Sequence, residues 1–181
     1  MDILEIKDLE YLAQKRVPKM FFDYVNSGSW TETTYNENVS DFQKIKLRQR
    51  VAIDMSNRTL ETKMVDQKVS MPVAIAPTGL TGMQRADGEI LAAQAAEEFG
   101  IPYTLSTMSV CSIEAVAEKT KKPFWFQLYV MKDKKFMERL IDRAKEAKCS
   151  ALVLTLDLQL LGQRHKDIRN GLSTPPKLIP K

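Results

Sequence analysis

The run Phe124-Trp125-Phe126, closed by Gln127 and Tyr129, decides how the chain folds. It is strand-length and apolar on both faces, the pattern of a strand covered on both sides. A helix is predicted after it, marked by Asp133 before Phe136, Met137, Leu140, Ile141 and Ala144. Outward from this unit the pattern repeats. Ala151-Leu152-Val153-Leu154 follows it, while Ile101-Pro102-Tyr103-Thr104-Leu105 and Pro72-Val73-Ala74-Ile75-Ala76 precede it. Helices are predicted between the runs: Asp87 stands before Leu91, Ala95 and Phe99, with Gly100 as the stop, and Ser112 before Ile113, Val116 and Ala117. Apolar strands alternating with helices at intervals of about 25 residues are parallel β-α units.

A doubly wound sheet and an eight-fold barrel share that signature. Every run ends on polar side chains: Thr78 beyond Pro77, Ser106 after Leu105, Gln127 and Tyr129 after Phe126, Thr155 and Asp157 after Leu154. Barrel enzymes build their sites at the carboxyl ends of many strands at once, and no Gly-x-Gly-x-x-Gly follows the first run. The reading is therefore α/β, the first half of a (β/α)8 TIM barrel with an N-terminal helical segment. Residues 1–70 form that segment and a hairpin, and 71–181 hold β/α units 1–4, truncated in the Pro-rich stretch Thr174-Pro175-Pro176-Lys177.

Within residues 1–70, Leu9, Leu12, Ala13 and Val17 recur at helical spacing with Asp8 as the expected N-cap. Pro18 opens a second helix carrying Met20, Phe21, Tyr24 and Val25, with Gly28 placed to end it. Residues 29–58 show little period and are expected to be a surface connection with short turns. Residues 59–69 alternate weakly and are expected to form a hairpin turning at Asp66-Gln67.

Composition narrows the function classes. The 181 residues, 44% hydrophobic and 28% charged, suit a globular domain, and the net charge of +4 comes from 27 basic and 23 acidic residues spread along the chain. No arginine-rich arm, zinc pattern or RNP pattern accompanies it, so no nucleic-acid partner is expected. Cys111 and Cys149 lack metal-ligand spacing and are expected to be buried thiols in a reducing compartment. No signal peptide is read at the amino terminus, and no run reaches the roughly 18 apolar residues of a membrane span. A cytoplasmic protein is expected, at most peripheral to the inner membrane.

The motifs Ala76-Pro77-Thr78-Gly79, Thr104-Leu105-Ser106-Thr107, Phe126-Gln127-Leu128-Tyr129 and Thr155-Leu156-Asp157, in this order and spacing, resemble the FMN-dependent α-hydroxy-acid oxidase and dehydrogenase family. So do residues 17–24 upstream, and Gly162-Gln163-Arg164 and Asp167-Ile168-Arg169-Asn170 downstream. The stretch 106–114 is most similar to the bacterial L-lactate dehydrogenases of that family.

The resemblance implies FMN as cofactor and a small 2-hydroxy acid as substrate. It places the backbone of Pro77, Thr78 and Gly79 against the flavin, and puts Ser106, Gln127 and Thr155 on the pyrimidine edge of its ring. It assigns Tyr24 and Arg164 to the substrate carboxylate, Tyr129 to the oxygen at the reacting carbon, and Met108 to the substrate side chain. Asp157 is implied to pair with a catalytic histidine carried in the missing carboxyl-terminal half. That half is also expected to hold a lysine supporting the reduced flavin, a further arginine and the phosphate-binding loops. Taken singly, Ser106 and Thr155 are polar residues ending strands, Tyr24 is a core aromatic, Arg164 is a loop charge, and Met108 is loop packing.

His165, the only histidine, lies outside the base position of the family motif and is expected to be a surface or loop-packing residue. Gln159 stands where the family often has proline. The intact enzyme is expected to oxidise L-lactate to pyruvate and to assemble as a homo-oligomer, with the present residues inactive alone. A non-catalytic remnant that binds flavin weakly or associates with other chains is the alternative, ahead of a different flavin or phosphate-binding barrel.

Overall fold

In a computed structural model, residues 2–158 and 160–172 are described. Gln159 and the Pro-rich stretch from Thr174 lie outside the described residues. The elements in chain order are α1 (Ile6–Arg16), α2 (Lys19–Val25), α3 (Thr33–Ser40), β1 (Thr62–Met64), β2 (Gln67–Val69), α4 (Gly88–Phe99), β3 (Thr104–Ser106), α5 (Ile113–Lys119), β4 (Trp125–Tyr129), α6 (Lys134–Glu146), β5 (Ala151–Thr155) and α7 (His165–Asn170). Two compact units result: Met1–Asp54 with Leu160–Lys181, and Met55–Gln159. The hairpin thus groups with the β/α residues, and the stretch from Leu160 with the amino-terminal helices.

In the second unit β3, β4 and β5 form a parallel sheet in that order, with Ser106 opposite Gln127 and Tyr129 opposite Thr155. The first apolar run contributes one parallel bridge rather than a full strand: Ile75 N–H donates to Pro102 O at 2.9 Å, and Thr104 N–H donates to Ile75 O at 3.1 Å. The rungs on either side would need the N–H groups of Pro102 and Pro77, and proline has none. Two prolines therefore limit the pairing to a single residue.

In this unit Ser112, Asp133 and Gly100 bound helices as expected, while Asp87 precedes α4 in the left-handed region without a side-chain cap bond. Ser112 Oγ accepts from Ala115 N–H at 3.1 Å, Asp133 accepts from Phe136 N–H at 3.0 Å, and Gly100 ends α4 at φ +75°. Helix α6 buries Leu140 and Ala144 and turns its lysines outward. Helix α4 packs through Ala93 and Ala96. Between helices and sheet, Leu105, Val116 and Phe126 are sealed from water. Each such side chain contributes about 1.5–3 kcal/mol of burial. On β5, by contrast, Leu152 and Leu154 remain about half exposed, at 48% and 49%.

The hairpin turns one residue earlier than expected, at Val65-Asp66, where φ is +46° and +61°. Positive φ at both central residues is the two-residue turn whose twist matches the strands. Trp125 Nε1 donates to Gln67 Oε1 at 3.1 Å, fastening the hairpin at the amino ends of the strands. Cys111 and Cys149 are free and half-buried rather than fully buried.

In the first unit, α1 begins after Glu5, and Asp8 is its third residue rather than its cap. The Asp8 carboxylate accepts from the N–H groups of Leu4 and Glu5, closing a capping box. These two bonds hold the Asp8 carboxyl below its ordinary value. Helix α2 ends at Val25, before Gly28. Helix α3 and the turn Asp41–Lys44 occupy part of the expected connection. Helix α7 carries His165 as its first residue, where a loop was expected.

Candidate functional site

Three side chains on the adjacent strands β3, β4 and β5, with Ser106 and Thr155 the last residues of theirs and Gln127 in the middle of β4, form one hydrogen-bonded chain. Ser106 Oγ donates to Gln127 Oε1 at 3.2 Å, and Gln127 Nε2 donates to Thr155 Oγ1 at 2.8 Å. Gln127 is fully buried and Ser106 nearly so, each within a strand whose neighbours are apolar. Buried polar groups require partners, and the backbone of the next loop supplies them. Thr107 N–H donates to Gln127 Oε1 at 3.2 Å, Thr107 Oγ1 donates to Gln127 O at 2.5 Å, and Met108 N–H donates to Ser106 Oγ at 3.1 Å.

Because a backbone N–H can only donate, Thr107 fixes which end of the Gln127 amide is oxygen. The remaining valences then follow. Gln127 Oε1 has both lone pairs filled, while Nε2 keeps one N–H. Thr155 Oγ1 accepts from Gln127 and keeps its O–H to donate. Ser106 Oγ has given its proton to Gln127 and keeps a lone pair. Two donors, the Gln127 N–H and the Thr155 O–H, and two acceptor lone pairs, one on each hydroxyl, are left over.

Those valences fit the pyrimidine edge of an isoalloxazine ring, which presents one N3–H donor between two carbonyl acceptors. The residues therefore fit the cofactor implied by the sequence in kind, with two donors for its carbonyls and an acceptor for its N3–H. The exposed Pro77 and Thr78 and the half-buried Gly79 lie beyond Ile75 at the same end of the sheet. Thr78 takes no part in the Ser106 chain; its carbonyl accepts from Thr81 Oγ1 at 3.1 Å. Met108 is exposed, and its carbonyl accepts from Leu80 N–H at 2.9 Å. Tyr129 ends β4 half-buried, and Asp157 stands exposed beyond β5. A second concavity, lined by Gln67, Val69, Tyr103 and Phe124 among others, lies at the hairpin end and contains none of these residues.

Tyr24, Arg164 and His165 belong to the other unit and form their own cluster. The Arg164 guanidinium stacks over the Tyr24 ring, 4.9 Å from its centre. Its Nε donates to Asp167 Oδ2 at 2.5 Å, and its Nη2 donates to the Tyr24 carbonyl and to Ser27 Oγ at 3.3 Å. Asp167 and Ser27 are buried. Arg164 is thus a built-in part of this unit rather than a loose loop charge, with Nη1 outside these bonds. His165, the first residue of α7 rather than a loop residue, meets the Trp30 ring edge-on, with ring centres 6.0 Å apart. Ser27 was not singled out from sequence, because its contact with Arg164 links segments 137 residues apart, whereas Asp167 stands in the downstream motif without a role read for it.

Comparison with known proteins follows the same residues. A family model described as FMN-dependent dehydrogenase matches residues 13–181. L-lactate dehydrogenase of Acinetobacter baumannii is 50% identical over 168 residues, 93% of this chain and 44% of the relative. That of Acinetobacter baylyi is 47% identical over 175 residues, 97% of this chain and 46% of the relative. A soluble mutant of the membrane-associated (S)-mandelate dehydrogenase from Pseudomonas putida superposes with a TM-score of 0.91 at 35% identity, covering 98% of this chain and 51% of that one. The chain spans about half the length of the relatives it matches.

Proposed function

The chain belongs to the FMN-dependent dehydrogenase family, whose cofactor is FMN, and on that premise we propose that it supplies one side of an enzyme oxidising a small L-2-hydroxy acid, L-lactate to pyruvate. The observation that carries this reading is the Ser106–Gln127–Thr155 chain, whose leftover acceptors and donors complement the flavin edge. The 50% identity to an L-lactate dehydrogenase supports the choice of substrate.

When bound, FMN supplies the acceptor for the two electrons released from the substrate carbon. The backbone of Pro77, Thr78 and Gly79 lines the flavin, and Ser106, Gln127 and Thr155 hold its pyrimidine edge. Tyr24 and the Nη1 edge of Arg164 bind the substrate carboxylate, for which a planar guanidinium held in one orientation is suited. Tyr129 donates to the oxygen on the reacting carbon, and Met108 meets the methyl group. Asp157 pairs with a histidine outside these residues and favours the imidazolium formed when that base takes the substrate proton.

The sheet is read as units 1–4 of a (β/α)8 barrel, preceded by the helical segment and hairpin. The exposed Leu152 and Leu154 of β5 support this, since they form an apolar face that a further β/α unit would cover. The reading includes a cytoplasmic or peripherally membrane-bound homo-oligomer; among the described residues no helix is long and apolar enough to cross a membrane. The test is anaerobic addition of L-lactate to the full-length flavoprotein. Bleaching of the visible flavin bands by L-lactate, and much less by D-lactate, is expected. A purified protein that carries no flavin, or whose flavin no 2-hydroxy acid reduces, sinks the reading.

A further inference from the structure

We propose that Glu89 is a positioning residue that holds the loop after the first apolar run and the loop after β3 in a single arrangement, and so sets where Gly79 and Met108 stand; this rests on the flavin reading above. Glu89 lies in the first turn of α4 with no exposed surface. One oxygen of its carboxylate collects two backbone N–H groups from separate loops, Gly82 at 3.0 Å and Val110 at 2.9 Å. Both loops leave the cofactor end of the sheet. Their second tie is the bond from Leu80 N–H to Met108 O at 2.9 Å.

The loops also touch directly, since a Cβ added at Gly82 would come within 2.7 Å of Val110 Cβ. Gly79 precedes the pinned Gly82 by three residues and Met108 precedes the pinned Val110 by two, so the carboxylate acts close to both functional positions.

A carboxylate that only complements a helix N-terminus can do so in water, at no desolvation cost. Burying it is expensive unless its partners need it, and here the partners are loop amides that would otherwise be left unsatisfied. Its other oxygen is buried without a nitrogen or oxygen partner among the described residues. Burial raises the Glu89 carboxyl, but the N–H groups of Val110, Glu89 and Gly82 and the Cys111 thiol outweigh it and hold it below the ordinary value. The Cys111 thiol is correspondingly pushed up, by burial and by its hydrogen bond to Glu89.

The experiment compares Glu89→Leu and Glu89→Gln with wild type in the full-length, flavin-loaded protein, reading amide hydrogen exchange alongside kcat and KM. Glu89→Leu removes the shared acceptor, so exchange at Gly82 and Val110 should accelerate together by about tenfold or more, with KM for L-lactate rising more than kcat falls. Glu89→Gln keeps a carbonyl oxygen for both amides and should stay within about threefold of wild type in KM. Unchanged exchange at Gly82 and Val110 in Glu89→Leu overturns the proposal. So does a Glu89→Gln variant as impaired as Glu89→Leu, or a pair differing from wild type only in melting temperature. A wild-type protein that binds no flavin overturns the functional reading and the positioning role with it, whereas the exchange data report the loop tie separately.

Discussion

Gln127 Nε2 donates to Thr155 Oγ1 at 2.8 Å across the adjacent strands β4 and β5, and this bond sets the polarity of the rim proposed to hold the flavin. With the amide turned this way, Thr155 has to point its own proton elsewhere. Replacing Gln127 by Leu keeps the volume but removes the partner of Thr107 N–H and of the Ser106 and Thr155 hydroxyls, of which Ser106 is buried and the other two are half-buried. Each unsatisfied group costs about 1–3 kcal/mol. Denaturant titration of full-length Gln127→Leu should show a loss of at least that size, and FMN titration an affinity weakened by about tenfold or more. Unaltered FMN affinity would remove Gln127 from the site.

The Arg164–Asp167 pair predicts a separation of stability from substrate binding. Asp167→Asn removes the charge opposite Nε while leaving Arg164 stacked on Tyr24. Arg164→Met removes the guanidinium altogether and leaves the buried Asp167 uncompensated. Because the Arg164 side chain is 34% exposed, the stability loss belongs at the lower end for a broken ion pair, about 1–3 kcal/mol. Both variants should melt earlier, but only Arg164→Met should raise KM for L-lactate by more than about tenfold. Equal KM in the two variants would make Arg164 a purely structural clamp.

On the outer surface, Arg143 holds Glu114 through two hydrogen bonds of 2.6 and 2.7 Å, joining α6 to α5. The hydrogen-bonded guanidinium pulls the Glu114 carboxyl down to about 2. A depressed folded value means that the stabilisation is complete above the unfolded value of 4.5 and is lost as pH falls towards 2. Both side chains are substantially exposed, so the pair contributes about 0.2–1 kcal/mol. Glu114→Gln should therefore lower the melting temperature slightly at pH 7, with the difference shrinking steadily below pH 4.5. A difference that does not shrink would mean that packing, not charge, joins the helices there.

Local rules were legible in the sequence and long-range ones were not. Ser112, Asp133 and Gly100 act within one helical turn, so their residue types announced them. Helix α3 lacks an apolar stripe and starts behind Glu32 at φ +61°, so neither period nor cap revealed it. The run at Pro72–Ala76 read as a strand because its apolar content is right. The block on one side comes from Pro102 on the neighbouring chain segment, which only pairing register exposes, and on the other from Pro77 just beyond the run. Ser106, Gln127 and Thr155 were legible through family motifs, but not their mutual bonds. Glu89 gave no signal, because an acidic residue in a first helical turn is ordinary until its burial is known.

A polypeptide of these 181 residues made by itself and supplied with FMN, L-lactate and an artificial acceptor dye should show no turnover. Its one histidine, His165, packs edge-on against Trp30 in the unit that holds Arg164, and its place in the chain is not that of the family's base. Losing a positioned general base costs about 10² to 10⁴ in rate. The flavin would be gripped through its ring edge alone, without the phosphate contacts expected from the other half, so binding would suffer as well. Mixing with a separately produced remaining half should restore turnover if the exposed face of β5 is where further β/α units dock. Adding Leu152→Lys to the 181-residue piece should then abolish complementation while leaving the Ser106–Gln127–Thr155 rim intact. Turnover by the piece alone, abolished by His165→Ala, would establish His165 as the base and overturn the assignment of that role to the other half.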